Sequence, residues 1–331
     1  MAILKTKYMG LELDSPIIAA SCGLTADVAK MEQMQQAGAG AVVLKSIFEE
    51  QIDEESTHLF REGYGVGGGY AEAEDYIKAY VRSNTLQRYV ELVRDAKRRL
   101  AIPVIASVNC FSGGEWVSFA KQLEEAGADA LELNVFILPV NAFASSQEIE
   151  NIYFDIVKSV KRSANIPVAV KISHYFTNLP AFVGKVKAQG ADAVTLFNRF
   201  YEPDIDIDAL AIGAASVFST PEELRATLRW TGILAGMDKG LEISASTGVH
   251  DGAAVVKLIL AGATTAQLCS VLYERGIGVI ADMNRFLSGW MENKGFGVID
   301  DFQGRLSYAS VGNPDLYERA QFIKHFSNKQ I

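Results

Sequence analysis

Lysine and asparagine side chains recur where the buried, strand-like segments of this sequence end. Eight apolar segments can be delimited, and five of them end in one of these two residue types, namely Lys45, Asn109, Asn134, Lys171 and Asn198. A single such residue could be a satisfied core amide or a lysine that extends toward solvent. Five at equivalent positions indicate a shared site instead. Lysine brings positive charge, and asparagine brings both a donor and an acceptor.

The last two segments toward the C-terminus end in small residues, in 246-STGVHDG-252 and 269-CSVLYERG-276. Small residues leave backbone N–H groups accessible, and such groups at helix N-termini bind phosphate. The candidates are Thr247, Gly248, Cys269 and Ser270. Together with the ring of lysines and asparagines, they predict a phosphorylated, electron-rich cofactor such as a flavin, although the ring would equally suit a planar carboxylated substrate.

Two recurring sequence motifs alternate along the chain and predict the strands that carry these residues. In the first, called the Gly-Ala phrase here, a glycine in the left-handed conformation ends a helix and a strand follows. Its four copies are 37-AGAGAVVLK-45, 126-AGADALELN-134, 189-QGADAVTLFN-198 and 261-AGATTAQLCS-270. Other strands begin at a proline, which is tolerated at a strand's first residue, in 15-SPIIAAS-21, 102-IPVIASVN-109 and 166-IPVAVKIS-173, and 240-GLEISAS-246 has the same pattern without proline.

Eight strand–helix units predict a (β/α)8 TIM barrel, a single α/β domain over residues 1–331. A doubly wound sheet is the alternative, but no GxGxxG motif follows the first strand. Long loops are expected after strand 2, at 47–83, and after strand 6, at 199–219, with a helix over 84–99 between strands 2 and 3. The Gly-rich piece 61-REGYGVGGGYAEAEDY-76 is either a lid or simply flexible.

Composition excludes several functional classes. The net charge is −9 and the longest basic run is 97-KRR-99, so we expect no nucleic-acid partner. The longest apolar run, 209-ALAIGAASVF-218, is too short to cross a bilayer. Three widely spaced cysteines form no CxxC pair, which argues against disulfides, zinc and a cluster within this chain. The N-terminal residues lack a signal-peptide apolar block, so we expect a cytoplasmic protein without a membrane partner.

The sequence resembles the dihydroorotate dehydrogenase family in its soluble, class 1-like, FMN-binding form. The resemblance runs from 6-TKYMGLELDSPIIAAS-21 to 297-GVIDDFQGRLSY-308, and its most specific pieces are 37-AGAGAVVLKSIFEEQ-51, 129-DALELN-134, 168-VAVKIS-173 and 262-GATTAQLCSVLYERG-276. It implies an FMN-containing barrel that oxidises dihydroorotate to orotate in pyrimidine biosynthesis. It also implies a homodimer, and in some relatives a separate electron-transfer subunit.

The resemblance also implies roles for matching residues. Small residues would lie against the flavin ring, polar strand ends would contact the ring or the substrate, and the last two strand ends would hold the phosphate. In chain order, the implied ring contacts are Ala20, Ser21, Lys45, Asn109, Asn134 and Lys171; the implied substrate ligand is Asn198; and the implied phosphate ligands are Thr247, Gly248 and Ser270, beside Cys269. Lys45, Asn134 and Lys171 are the implied catalytic residues.

One departure concerns the base. In the family, the asparagine of strand 4 opens an Asn-x-Ser-Cys-Pro-Asn motif whose Cys or Ser accepts the substrate proton. This chain has 134-NVFILPVN-141, so Phe136 and Ile137 replace the Ser and Cys. Neither side chain accepts a proton, and losing a positioned base costs about 10²–10⁴ in rate. The loop after strand 2 also differs, with 72-EAEDYIKAY-80, and Arg199 replaces a small residue.

Substitute bases and alternative functions stay open from sequence. Cys110 and His174 are weak candidates, since Cys110 also fits a small buried hydrophobe and His174 a loop cap. Ser145 and Ser146 fit a helix N-cap ahead of 146-SQEIE-150 better than a base. The function is therefore a dihydroorotate-type oxidoreductase, a flavoenzyme for another small planar CH–CH substrate, or a catalytically inactive FMN-binding protein.

Overall fold

The computed structural model describes residues 2–49, 52, 54–58, 71–109, 113–200 and 202–318. Two of the sequence-based candidates lie outside these residues. They are the Gly-rich stretch 61–70, interpreted as a lid or a flexible segment, and Cys110, a weak candidate for a substitute base.

The strands of the described residues alternate with helices along nearly the whole chain. The strands are β1 Thr6–Tyr8, β2 Leu11–Leu13, β3 Ile17–Ala19, β4 Ala41–Val43, β5 Ile47–Phe48, β6 Val104–Asn109, β7 Ala130–Asn134, β8 Val168–Ile172, β9 Ala193–Leu196, β10 Pro203–Asp206, β11 Ala211–Ala214, β12 Glu242–Ala245 and β13 Thr265–Leu268. The helices are α1 Val28–Gln36, α2 Ala71–Arg99, α3 Gly113–Glu125, α4 Ser146–Ser163, α5 Leu179–Ala188, α6 Leu224–Met237, α7 Gly252–Ala261, α8 Ser270–Arg275 and α9 Val279–Lys294.

Eight of these strands form a closed parallel barrel, as the sequence predicts. The order is β3-β4-β6-β7-β8-β9-β12-β13, and β13 pairs back onto β3. The register places Asn134 opposite Lys171 and Ala19 opposite Leu268. Because all eight strands run in one direction, their carboxyl ends open on the same face of the barrel.

Local sequence signals account for the helix boundaries. The glycines of the four Gly-Ala phrases all adopt positive φ, namely Gly38, Gly127, Gly190 and Gly262. Glycine has no Cβ penalty in this region, so each phrase can leave a helix and turn directly into a strand. At the other end of α4, Ser145 and Glu148 form the predicted capping box.

Three elements differ from the sequence-based expectation. The helix predicted over 84–99 begins at Ala71, because the polar stretch before it contains neither proline nor glycine to stop it. The loop after β9 carries an antiparallel hairpin, β10–β11, whose β10 side chains are exposed. The short helix α8 directly follows β13. Among the described helices, none is long and apolar enough to cross a membrane.

The amino-terminal end of the barrel is closed by the hairpin β1–β2. Tyr8, Met9 and Leu13 are buried and pack with Ile18 and Val43 inside the barrel. Apolar residues therefore fill this end, and the polar interior residues concentrate toward the carboxyl ends of the strands, where a site is to be expected.

A glycine before β4 sets how closely the first two barrel strands approach. The N–H of Gly40 donates to the carbonyl of Ile17 over 2.7 Å, and a Cβ at Gly40 would lie 1.9 Å from the Ser15 carbonyl oxygen. We expect Gly40→Ala to lower the free energy of unfolding by about 1–3 kcal/mol, as overpacking does.

Gly184 is the matched control for this substitution. It lies inside α5, and a Cβ added there would have no heavy atom within 4 Å, so Gly184→Ala should raise stability by about 0.5–1 kcal/mol. Urea unfolding of both variants measures the difference. Equal midpoints would show that the approach at Gly40 does not constrain the barrel.

Candidate functional site

A cavity of about 290 Å³ opens at the carboxyl ends of the barrel strands. It lies between the loops that follow β3, β9, β12 and β13, with side chains of β8 and β13 at its inner end. Eight residues that the sequence selects line it together: Ala20, Ser21, Lys171, Asn198, Thr247, Gly248, Cys269 and Ser270. These positions are up to 250 residues apart in the chain, so the barrel topology alone brings them together.

A buried ion pair lies at the inner end of this cavity. The Lys171 Nζ is 3.8 Å from Glu132 Oε1, and both residues are buried, with Glu132 only 1% exposed. The other carboxylate oxygen accepts hydrogen bonds from Thr195 Oγ1 at 2.9 Å and Gln267 Nε2 at 2.8 Å. Side chains from three other strands thus surround this carboxylate, and the carboxylate in turn sets the position of the lysine.

Glu132 and Gln267 are site residues that sequence reasoning missed. The sequence contains a signal for Glu132, because side chains two residues apart in a β-strand lie on the same face of the sheet. Glu132 precedes Asn134 by two residues, so both side chains point into the barrel if either does. Gln267 follows the same rule relative to Cys269. The amide oxygen of Gln267 has no hydrogen-bond partner among the described residues, and it lines the cavity.

Asn134 joins a hydrogen-bond network that connects the first four barrel strands with the loop after the sixth. Its amide oxygen accepts from the Asn198 side chain, and its amide nitrogen donates to Ser46 Oγ at 3.4 Å. The Ser46 hydroxyl also lies 3.0 Å from that of Ser21 and 2.7 Å from that of Ser107. The network orients the Asn134 side chain, and through it Asn198, which lines the cavity.

Asn109 is next to Asn134 in the sheet, since β6 and β7 pair Val108 with Leu133. It is 3% exposed, and its amide nitrogen has no hydrogen-bond partner among the described residues. A buried donor without a partner costs free energy, so such groups commonly serve a ligand. Asn109 and Gln267 together offer one donor and one acceptor to a bound molecule.

The loop after β12 makes a backbone corner at the opposite side of the cavity. Thr247 and Gly248 have φ of 79° and 77°, and Thr247 Oγ1 donates to the Phe197 carbonyl at 3.1 Å. A Cβ at Gly248 would lie 2.2 Å from the backbone nitrogen of Leu224. Only glycine fits there, because the corner packs directly against the start of α6. Such backbone corners bind anions well.

Two cysteine thiols meet beside the cavity. The hydrogen bond from the Cys269 thiol lowers the pKa of the Cys22 thiol to about 6, and further hydrogen bonds from the backbone of Thr25 and Leu24 act in the same direction. The same pairing, together with burial, raises the pKa of the Cys269 thiol. Cys22 is thus the more acidic thiol of the pair.

Aromatic side chains form the outer rim of the site. Phe136 stacks on Phe200 with ring centroids 4.1 Å apart, and Tyr175 lies 5.3 Å from Phe200. His174 packs at 4.4 Å against Tyr175 and at 5.8 Å against Phe197. His174 is therefore part of an aromatic cluster, and Phe136 occupies the rim where the sequence departs from the family motif.

One selected lysine lies apart from the cavity. The Lys45 side chain is exposed, and it lines a separate groove with Asp27 and Asn84, between α1 and α2. Of the five residues of the predicted ring, Lys171 and Asn198 line the cavity. Asn109 and Asn134 are buried at neighbouring strand ends and are not among its lining residues, and Lys45 faces outward.

Comparison with known proteins places this geometry in a family. The family model described as Dihydroorotate dehydrogenase matches residues 3–291. The chain belongs to the dihydroorotate dehydrogenase family. This is a family of TIM-barrel oxidoreductases, and the closed barrel observed here agrees with it.

Several archaeal relatives are similar over nearly their whole length. The Thermoplasma volcanium protein named dihydroorotate dehydrogenase B (NAD(+)), catalytic subunit, is 27% identical over 92% of this chain and 98% of its own. The Thermoplasma acidophilum protein of the same name is 29% identical over 92% and 99%. The Methanothermobacter thermautotrophicus protein is 26% identical over 91% and 98%.

The Glu132–Lys171 pair generates a stability prediction. Lys171→Met removes the only ion-pair partner that the described residues give Glu132, and breaking a buried pair costs about 3–5 kcal/mol. Lys171→Met combined with Glu132→Gln should recover most of this loss, because no buried charge remains. Urea unfolding of both variants measures it.

Lys185→Met is the control for that comparison. Lys185 pairs with Glu150 at 3.7 Å, but its side chain is 50% exposed, so the loss should be below about 1 kcal/mol. Equal losses at Lys171 and Lys185 would contradict a structural role for the buried pair.

The thiol pair generates a pH prediction. Alkylation of Cys22 by iodoacetamide should rise with a midpoint near pH 6, since the thiolate is the reactive form. Cys269→Ala removes the donor and should move the midpoint upward, toward the ordinary value of about 8.5. Mass spectrometry of tryptic peptides 8–30 and 258–275 separates the two cysteine positions. An unchanged midpoint in Cys269→Ala would rule out the thiol pair as the cause.

Proposed function

We propose that this protein is an FMN-dependent oxidoreductase that removes two hydrogens from the CH–CH bond of a small planar substrate. The observation that carries the proposal is the cavity with Lys171 at its inner end and the backbone corner at Gly248 at its far side. One end offers positive charge and unpartnered amide groups, and the other offers an anion site. A phosphorylated heterocycle is complementary to both ends.

The residues present fit FMN at each part of the molecule. Asn109 and Gln267 offer a buried donor and a buried acceptor that lack partners among the described residues, which suits the polar edge of the ring. Ala20 and Ser21 are small and line the cavity, so they leave room for a flat ring. The backbone at Gly248, with Thr247, Cys269 and Ser270, would hold the phosphate.

Bound FMN would accept the two electrons that leave the substrate. Lys171 would stabilise the negative charge that then develops at the ring, and Glu132 keeps its ammonium group in position. Asn134 and Asn198, oriented by their mutual hydrogen bond, would contact the substrate. The placement of Lys45 on the outer groove gives it no contact with this cavity, so we assign catalysis to Lys171 and Asn134 before Lys45.

Dihydroorotate is the substrate that the relatives' names suggest. The family's proton acceptor is missing here, because Phe136 and Ile137 occupy its segment. The stacking of Phe136 on Phe200 instead surrounds the entrance with aromatic rings. This observation favours a second candidate, a less polar planar CH–CH substrate, over dihydroorotate.

Partners are proposed on the same basis. The similar proteins are named catalytic subunits of an NAD(+)-dependent enzyme, so we propose a separate electron-transfer subunit for this chain as well. We also propose a homodimer and a cytoplasmic location, as the family resemblance and the composition suggest.

An anaerobic titration with dihydroorotate, following the flavin absorbance, tests the substrate. We expect bound flavin that dihydroorotate reduces slowly, and an acceleration of at least about tenfold in Ile137→Cys, since a positioned base contributes about 10²–10⁴. Ile137→Ala is the control, because it also shortens the side chain but adds no thiol.

Two outcomes would contradict the proposal. If the purified protein binds no flavin, the proposed FMN cofactor is wrong. If dihydroorotate rapidly reduces the flavin of the unaltered protein, a base other than residue 137 must accept the substrate proton.

A further inference from the structure

Three polar side chains lie in sequence beside the backbone corner of the cavity. Ser219 Oγ lies 3.1 Å from His250 Nε2, and His250 Nδ1 lies 3.3 Å from Glu274 Oε2. They come from three separate segments, the loop after β9, the loop after β12 and helix α8. None of the three was selected as a site residue from the sequence.

This series of side chains ends at the cavity wall beside Ser270. The backbone N–H of Ser219 donates to Ser270 Oγ at 2.9 Å, and the two hydroxyl oxygens are 3.1 Å apart. Ser219 lines the same cavity as Thr247 and Gly248 and is 7% exposed. A group bound at the backbone corner would therefore meet the Ser219 hydroxyl as well.

We propose that Ser219, positioned by His250 and Glu274, is a ligand of a phosphate group bound in this cavity. The inference rests on the proposed FMN site, and it adds a third loop to a subsite that the sequence assigned to two. His250 acts only through Ser219, and it is a positioning residue.

Contacts to the ring and to the backbone hold His250 in place. Glu274 faces one ring nitrogen, and Arg275 Nη1 donates to the His250 backbone carbonyl at 3.1 Å. The nearby Asp251 carboxylate caps α7 through the N–H of Ala254. Across the cavity, Arg199 is held by Glu223 and by a backbone carbonyl. Glu274 is therefore the carboxylate that faces the imidazole of His250.

A serine, a histidine and a carboxylate in this order also occur in serine hydrolases. Here the Ser219 hydroxyl is shared with Ser270 rather than reserved for the histidine. It also lines the cavity together with Thr247 and Gly248. These contacts favour a phosphate ligand over a nucleophile, and the nucleophile becomes an outcome of the test.

Fluorescence titrations with FMN and riboflavin isolate the phosphate contribution, since riboflavin lacks that group. We expect Ser219→Ala to weaken FMN binding about 10- to 100-fold, as for a lost hydrogen bond to a charged group, and to leave riboflavin binding unchanged. The control is Ser216→Ala, three residues upstream on the exposed part of the same loop, which should alter neither ligand.

The same pair of titrations tests the role of His250. His250→Gln should weaken FMN binding relative to riboflavin binding, because the Ser219 hydroxyl loses the imidazole nitrogen that orients it. The loss should be smaller than in Ser219→Ala, since His250 acts only through Ser219.

Several results would overturn the inference. Equal losses for FMN and riboflavin in Ser219→Ala would assign Ser219 a purely structural role. Labelling of Ser219 by a fluorophosphonate probe would make it a nucleophile. Unchanged binding of both FMN and riboflavin in His250→Gln would remove the positioning role of His250.

Inorganic phosphate separates this inference from the proposed cofactor. Suppose that the protein binds neither FMN nor riboflavin, so that the FMN proposal fails. If inorganic phosphate then raises the melting temperature of the unaltered protein but not that of Ser219→Ala, the anion subsite is upheld. No stabilisation by phosphate and no flavin binding would overturn both.

Discussion

The ion pair between Glu132 and Lys171 is the constraint on which the site depends. A carboxylate in the middle of a barrel is costly unless it is paired and hydrogen-bonded. Thr195 and Gln267 saturate one oxygen, and Lys171 faces the other. The lysine therefore has a fixed direction, with its ammonium group toward the cavity. Charge at the inner end and a backbone corner at the outer end then define what the cavity can hold.

Much of the architecture could be predicted from sequence because its signals are local. The left-handed glycines, such as Gly38 and Gly262, and the capping box at Ser145 are each decided within a few residues. The start of α2 at Ala71 was missed, since a polar stretch without proline or glycine gives no boundary signal. Glu132, Ser219 and His250 were missed for another reason: their partners are distant in the chain.

The geometry is consistent with a site that keeps the proposed cofactor while its chemistry changes. The groups that we propose for the cofactor lie on the barrel strands, where Glu132 and Asn134 are held by side chains from other strands and strand ends. The position that the family resemblance assigns to the proton acceptor lies beyond the strand end, at Phe136 and Ile137, on a loop that leaves the barrel. Loops accept substitution more readily than barrel strands. The aromatic contact between Phe136 and Phe200 shows what the new loop packs against.

A crystal structure of the purified protein grown with FMN tests the central claim most directly. The account predicts one flavin per chain, with its ring edge beside Lys171 and its phosphate at the corner formed by Thr247 and Gly248. An occupied cavity with the phosphate elsewhere would contradict the assignment of the two ends. A cavity without flavin at saturating FMN would contradict the proposal that these strand ends form a cofactor site.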